Sequence, residues 1–138
     1  MVVRHAKSAW PDDVPDARRP LSGRGRRDAP TAGRWLREQV GHVHAVVCSP
    51  GAPDPVLDER VYAASAGTLL AVVREIADDV GSALLLGHNP GVADLIGSVT
   101  GEALEMKTSA VAVLGLTGSW ADAGHGRARL LAHATPRG

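Results

Sequence analysis

The chain has 138 residues, enough for one domain with a real core but too few for a separate cofactor domain, so a single active site is sought. Its 15 basic and 15 acidic residues cancel, which removes any overall bias toward nucleic acid or anionic membrane. No apolar run approaches the roughly 18 to 20 residues that span a bilayer, and the start lacks a basic stretch followed by a long hydrophobic one, so a soluble, unexported, cytoplasmic protein with no membrane partner is expected.

Taken in chain order, short aliphatic runs alternate with longer segments of helical period. Strands are expected over Met1 to Arg4, His44 to Ser49, Ser82 to Gly87, Ala110 to Leu116 and Arg127 to His133. The first helix should fall between Leu21 and Val40, capped by Ser22 or Asp28 and ended by Gly41. Pro30 belongs in a first turn, so this helix is expected to start near Asp28 or to kink. Arginines crowd the segment from Arg18 to Arg37, most simply as a solvated helix face. A second helix is expected from Ala66 to Asp79 with Ser65 as cap, and a third after Pro90, stopping near Gly101. The lone Cys48 sits in the run Ala45-Val46-Val47-Cys48, where a buried structural thiol in a reducing compartment is the default. This alternation argues an α/β fold, and the turn-rich tail reads as a hairpin giving the sheet an antiparallel edge.

Two short segments carry chemistry. Arg4-His5 follows the first strand directly, and ligands in open α/β sheets bind at the carboxyl ends of strands. The apolar strand Leu84-Leu85-Leu86 ends in Gly87-His88-Asn89-Pro90-Gly91, so His88 also stands at a strand's carboxyl end. On neighbouring parallel strands the two segments would set two imidazoles and a guanidinium around one oxyanion pocket. Neutral imidazole can attack phosphorus, and a planar guanidinium can neutralise a transferring phosphoryl group. Metal is a poorer account, since there is no HExxH spacing and no carboxylate cluster beside either histidine.

With Arg4-His5-Ala6-Lys7-Ser8, Arg19-Pro20-Leu21-Ser22-x-x-Gly25, Cys48-Ser49-Pro50, Asp58-Glu59-Arg60-Val61-Tyr62 and Gly87-His88-Asn89-Pro90 in order, the chain resembles the histidine phosphatase (phosphoglycerate mutase-like) superfamily, in its branch of SixA-like phosphohistidine phosphatases. The resemblance spans nearly the whole chain. It implies one domain over residues 1–138, a three-layer α/β/α sandwich whose central sheet is mostly parallel with an antiparallel edge. It further implies that His5 is the phosphorylated nucleophile, Arg4 the phosphate-binding arginine and His88 the second pocket histidine. Arg19 matches a substrate-binding position at the pocket mouth; the alternative is an ordinary surface arginine. Glu59 or Asp58 is the expected acid for the leaving group, the alternative being a surface charge pair with Arg60. No cofactor and no metal are called for.

One departure stands out. Family members carry a second phosphate-binding arginine shortly after the Ser-Pro, whereas here Ser49-Pro50 runs into Gly51-Ala52-Pro53-Asp54-Pro55. A parallel crossover takes on the order of a dozen residues or more, so a segment of that size is expected to be absent between Pro50 and Gly51. An intact mass well above 14.3 kDa would indicate an omitted segment, and a matching mass a true deletion. The first strand is short before Arg4, and a residue or two is expected to be missing there.

A chain this short has little length for lids that enclose small metabolites, so an open pocket suited to a phosphorylated protein side chain is expected. By resemblance, phosphohistidine on a signalling or carrier protein comes first, and a small phosphomonoester second. A non-catalytic phosphate-binding module is the reading from a different class. Nucleic acid is not an expected partner, because the arginine-rich stretch has acidic neighbours and the chain has no Phe and one Tyr to stack bases. A monomer is expected.

Overall fold

The computed structural model describes residues 1–6, 20–48, 56–57, 59–61 and 64–138. The strands are β1 (Val2–Arg4), β2 (Ala45–Cys48), β3 (Val56–Leu57), β4 (Ala83–Gly87), β5 (Val111–Leu116) and β6 (Ala128–Ala134). The helices are α1 (Gly23–Val40), α2 (Ala66–Arg74) and α3 (Gly91–Thr100), with single 3-10 turns at Glu59–Val61 and Trp120–Asp122. The strands form one sheet in the order β3-β2-β4-β1-β5-β6. The first four of these run parallel, and β5 is antiparallel to both β1 and β6. The expected mixed sheet with an antiparallel edge is the one observed.

The pleat sorts side chains onto two faces. Val2, Leu85 and Ala112, which lie side by side across three strands, pack with Leu69 and Val72 of α2 and Val92, Leu95, Ile96 and Val99 of α3. Val3 and Val111, one residue along, face Ala32 and Leu36 of α1 on the other side. The result is the three-layer sandwich, with the centre of β1 and β4 covered on both faces.

Of the two expected caps of α1, Ser22 is the one observed, its Oγ accepting from the Gly25 N–H at 3.1 Å; the helix does not wait for Asp28 to start and continues through Pro30. The bond that Pro30 cannot donate is outweighed by the apolar stripe through Ala32 and Leu36 and by ties at Asp28. That residue is 2% exposed and binds the N–H of Gly138 (3.0 Å), Arg137 (2.8 Å) and Arg24 (3.3 Å). Helix α2 ends at Arg74, five residues being shed from the expected span as turns in which Glu75, Ile76 and Val80 donate to carbonyls three residues back. The Val80 carbonyl there receives the Trp120 indole N–H at 2.8 Å.

Hydrogen bonds from the Gly138 N–H and then from Arg137 hold the Asp28 carboxyl below its ordinary value of 3.8, against the opposing effect of burial. A carboxyl whose pKa is lowered by folding contributes stability above its unfolded pKa, about 3.9, and loses it as pH falls through the folded value. Thermal melts from pH 7 down to pH 3 are therefore expected to show Asp28→Asn less stable than wild type near neutrality, with the gap closing in acid. A gap independent of pH would contradict this linkage.

Val56 lies beside Val47 and Leu57 beside Cys48, so β3 pairs with the last two residues of β2. Residues 49–55, where the absent segment was expected, lie outside the described residues.

Candidate active site

The register of β1 and β4 builds the site. Arg4 is level with Gly87, and the His5 N–H donates to the Gly87 carbonyl at 2.8 Å, so the residues after each strand emerge together. His5 and His88 consequently stack, their ring centroids 5.0 Å apart and their planes within 10° of parallel. Arg4 is half-buried beside them.

A backbone bond fixes the tautomer of His5. Its Nδ1 lies 3.0 Å from the Ala6 carbonyl, and because a carbonyl only accepts, Nδ1 carries the proton. In the neutral ring this leaves the lone pair on Nε2.

A third chain segment closes the site from behind. The Met106 carbonyl accepts from Arg4 Nη1 at 2.9 Å and from Asn89 Nδ2 at 2.8 Å, tying the ends of β1 and β4 to the loop before β5. Three residues on, the Ser109 N–H donates to the His5 carbonyl at 3.4 Å. Ser109 is 1% exposed and adopts a left-handed backbone with φ of 64°. Its hydroxyl and the Asn89 Oδ1 are buried without a hydrogen-bond partner among the described residues. Sequence reasoning did not find these supports. Met106 acts through its main chain, and the left-handed turn at Ser109 carries no glycine or asparagine to announce it.

The glycines around His88 are needed for close approach. A Cβ on Gly87 would lie 2.9 Å from Val92 Cγ2, and one on Gly91 would run into the Ala64 carbonyl oxygen. The second obstacle is backbone and cannot swing away. Gly91→Ala is expected to cost about 1 to 3 kcal/mol, the usual range for overpacking, read as a lowered urea midpoint with an unchanged slope. A variant as stable as wild type would show that the α2 to α3 contact is looser than it stands here.

Of the other expected site residues, Arg19 and Asp58 lie outside the described residues. Glu59 opens the 3-10 turn Glu59–Val61, on the approach to α2. Arg60, its alternative partner, forms an ion pair with Glu75 at 2.6 Å. A mostly apolar cavity of about 490 Å³ lies at the opposite ends of β1 and β4, lined by Met1, Ala83, Leu85 and Trp120 among others. None of Arg4, His5 and His88 lines it.

Comparison with known proteins follows the same geometry. An uncharacterized protein of Mycobacterium tuberculosis is 37% identical over an aligned span of 158 residues, covering 98% of this chain and all of the relative. An uncharacterized protein of Mycobacterium leprae is 32% identical over 161 residues, with 98% and 100% covered. No family model matches the sequence. Among solved structures, one assigned as phosphohistidine phosphatase SixA from Nakamurella multipartita superposes with a TM-score of 0.80 at 27% identity, over 98% of this chain and 95% of the other. The chain belongs to the SixA-like branch of the histidine phosphatase superfamily. A second SixA, from Agrobacterium tumefaciens, shares the fold at a TM-score of 0.81 and 24% identity, over 98% and 96% of the two chains. A SixA solved with tungstate does so at 0.78 and 22%, over 98% and 95%. The mycobacterial alignments span more positions than the 138 residues of this SixA-like chain, so they open gaps within it.

Proposed function

We propose that the protein is a phosphatase working through a phosphohistidine on His5, with phosphohistidine in a signalling or carrier protein as its substrate class. The observation that carries this reading is the His5 Nδ1 contact with the Ala6 carbonyl, which directs the Nε2 lone pair away from the backbone beside Arg4 and His88. Nε2 attacks phosphorus in line, the bond from phosphorus to the substrate nitrogen breaks, and the departing imidazole takes up a proton. Water then cleaves the new phosphorus–Nε2 bond, releasing phosphate and restoring the neutral ring. With Nε2 phosphorylated the ring still carries its Nδ1 proton and is cationic, and the Ala6 carbonyl dipole stabilises that charge. Arg4 and His88 donate to the equatorial oxygens. None of these steps calls for a metal or cofactor.

An imidazole leaving group needs less help from an acid than an alkoxide does, so a site where Glu59 is the acid candidate suits a phosphorus–nitrogen bond better than a phosphomonoester. By resemblance, Arg19 would meet the protein around the phosphorylated side chain. The expected result is rapid turnover of phosphoramidate and of a phosphohistidine protein, with sugar phosphates untouched; the reverse order would make the protein a small-molecule phosphomonoesterase.

A second reading has one sequence observation in its favour. No arginine stands in the stretch Gly51-Ala52-Pro53-Asp54-Pro55 after Ser49-Pro50, so a site with a single guanidinium clamp could hold phosphate without transferring it. Phosphate binding with no turnover of phosphoramidate would select this binding module.

A further inference from the structure

Helix α1 starts at the catalytic end of the sheet and runs away from it, because it follows β1 and must return to the start of β2. Its opening turns present Arg24, Arg26 and Arg27 to solvent, with no acidic residue in the first turn. This is the electrostatically wrong end for them, since the amino-terminal pole of a helix is positive and favours carboxylates. The nearby Asp28 offers little relief: it is buried, and its oxygens are taken by Arg24, Arg137 and the Gly138 N–H. Neither Arg26 nor Arg27 has an ion-pair partner among the described residues, and the exposed acid on α1, Glu38, lies at the far end. Among the described residues, folding stability therefore gives no reason for two cations at this position.

The helix turn that carries these arginines is tied to the site through Asp28. Asp28 holds Arg137, whose Nη1 also donates to the Thr108 carbonyl at 2.9 Å, and the next residue, Ser109, bonds to the His5 backbone. We propose that Arg26 and Arg27 form a docking surface for an acidic protein, holding the carboxylates that surround the phosphorylated side chain while that side chain enters the site. The inference rests on the reading of the substrate as a phosphoprotein and adds the charge of the partner. A nucleic acid would also answer to positive charge, but the aromatic residue of α1, Trp35, packs toward the sheet, so this helix offers no stacking platform.

The test uses two labelled peptides of one histidine each, one flanked by Glu and Asp and the other by Gln and Asn, phosphorylated with potassium phosphoramidate. Wild type is expected to favour the acidic peptide by about tenfold in kcat/KM at low salt, and to lose that preference as salt shortens the Debye length to about 3 Å near 1 M. The double variant Arg26→Glu/Arg27→Glu should lose the preference at any salt, hydrolyse free phosphoramidate as wild type does, and melt no lower, since it removes cations from a positive helix pole. Fluorescence anisotropy of the unphosphorylated acidic peptide reads docking without turnover, and its Kd should weaken about tenfold in the variant. Equal handling of the two peptides by wild type, an unchanged Kd in the variant, or tighter binding of an oligonucleotide than of the acidic peptide would overturn the proposal. Docking through Arg26 and Arg27 without hydrolysis of phosphoramidate would leave it standing and overturn the catalytic reading instead.

Discussion

Replacing His5 with alanine is expected to abolish the phosphoenzyme and to lower turnover of phosphoramidate by about four orders of magnitude or more, the scale seen when a nucleophile that acts with its neighbours is removed. The variant should fold normally, because what His5 gives the framework is main chain: its N–H to Gly87 and its carbonyl to Ser109. Phosphate binding should survive in part, since Arg4 and His88 remain. Labelled phosphoramidate with an alkaline quench, which preserves phosphohistidine, would show label on wild type and none on His5→Ala. Label of equal intensity on the variant would move the nucleophile to another residue, and His88, stacked at 5.0 Å, would be the first to examine.

Arg4→Lys is expected to lower kcat/KM by about a hundredfold to a thousandfold, the usual loss on removing a charge-stabilising donor from an enclosed site. The substitution keeps the charge but not the fork. Arg4 spends Nη1 on the Met106 carbonyl and keeps its other donors for an oxyanion, whereas a single ammonium cannot serve both in the same geometry. The loss should appear in phosphate or tungstate inhibition as well as in kcat. A variant within about threefold of wild type would mean that Arg4 braces the loop before β5 rather than the phosphoryl group.

The parts of this protein that were legible from sequence are those in which local pattern and tertiary need coincide. The strands expected from Met1, Ser82 and Ala110 are observed within one residue of those starts, and their alternate residues fill the two cores; the helix after Pro90 ends at Gly101, whose left-handed φ of 75° a glycine allows. Arg4, His5 and His88 were legible as candidates because they end or directly follow a short, strongly apolar strand. Where partners lie far along the chain, pattern gave no warning. Asp28 looked like a helix cap because the donors it accepts from, Arg137 and Gly138, are about a hundred residues away and carry no local mark. Helix α2 looked longer because Ile76 and Ala77 continue its apolar period, but Ala77 ends exposed in the turn that delivers Val80 to Trp120. Pro30 misled in the same way, through a local rule overridden by packing.

The Met106 carbonyl has a consequence for how this site comes into being. The motifs all lie within the first 90 positions, yet the guanidinium of Arg4 is aimed by an atom 102 residues downstream, and Asn89 is anchored to the same oxygen. A nascent chain stopped short of Met106 would contain the whole chemical alphabet of the candidate site and spell nothing with it. The site is thus assembled only when the chain from Met106 onward has docked, so that activity regained during refolding would report completion of the entire sheet.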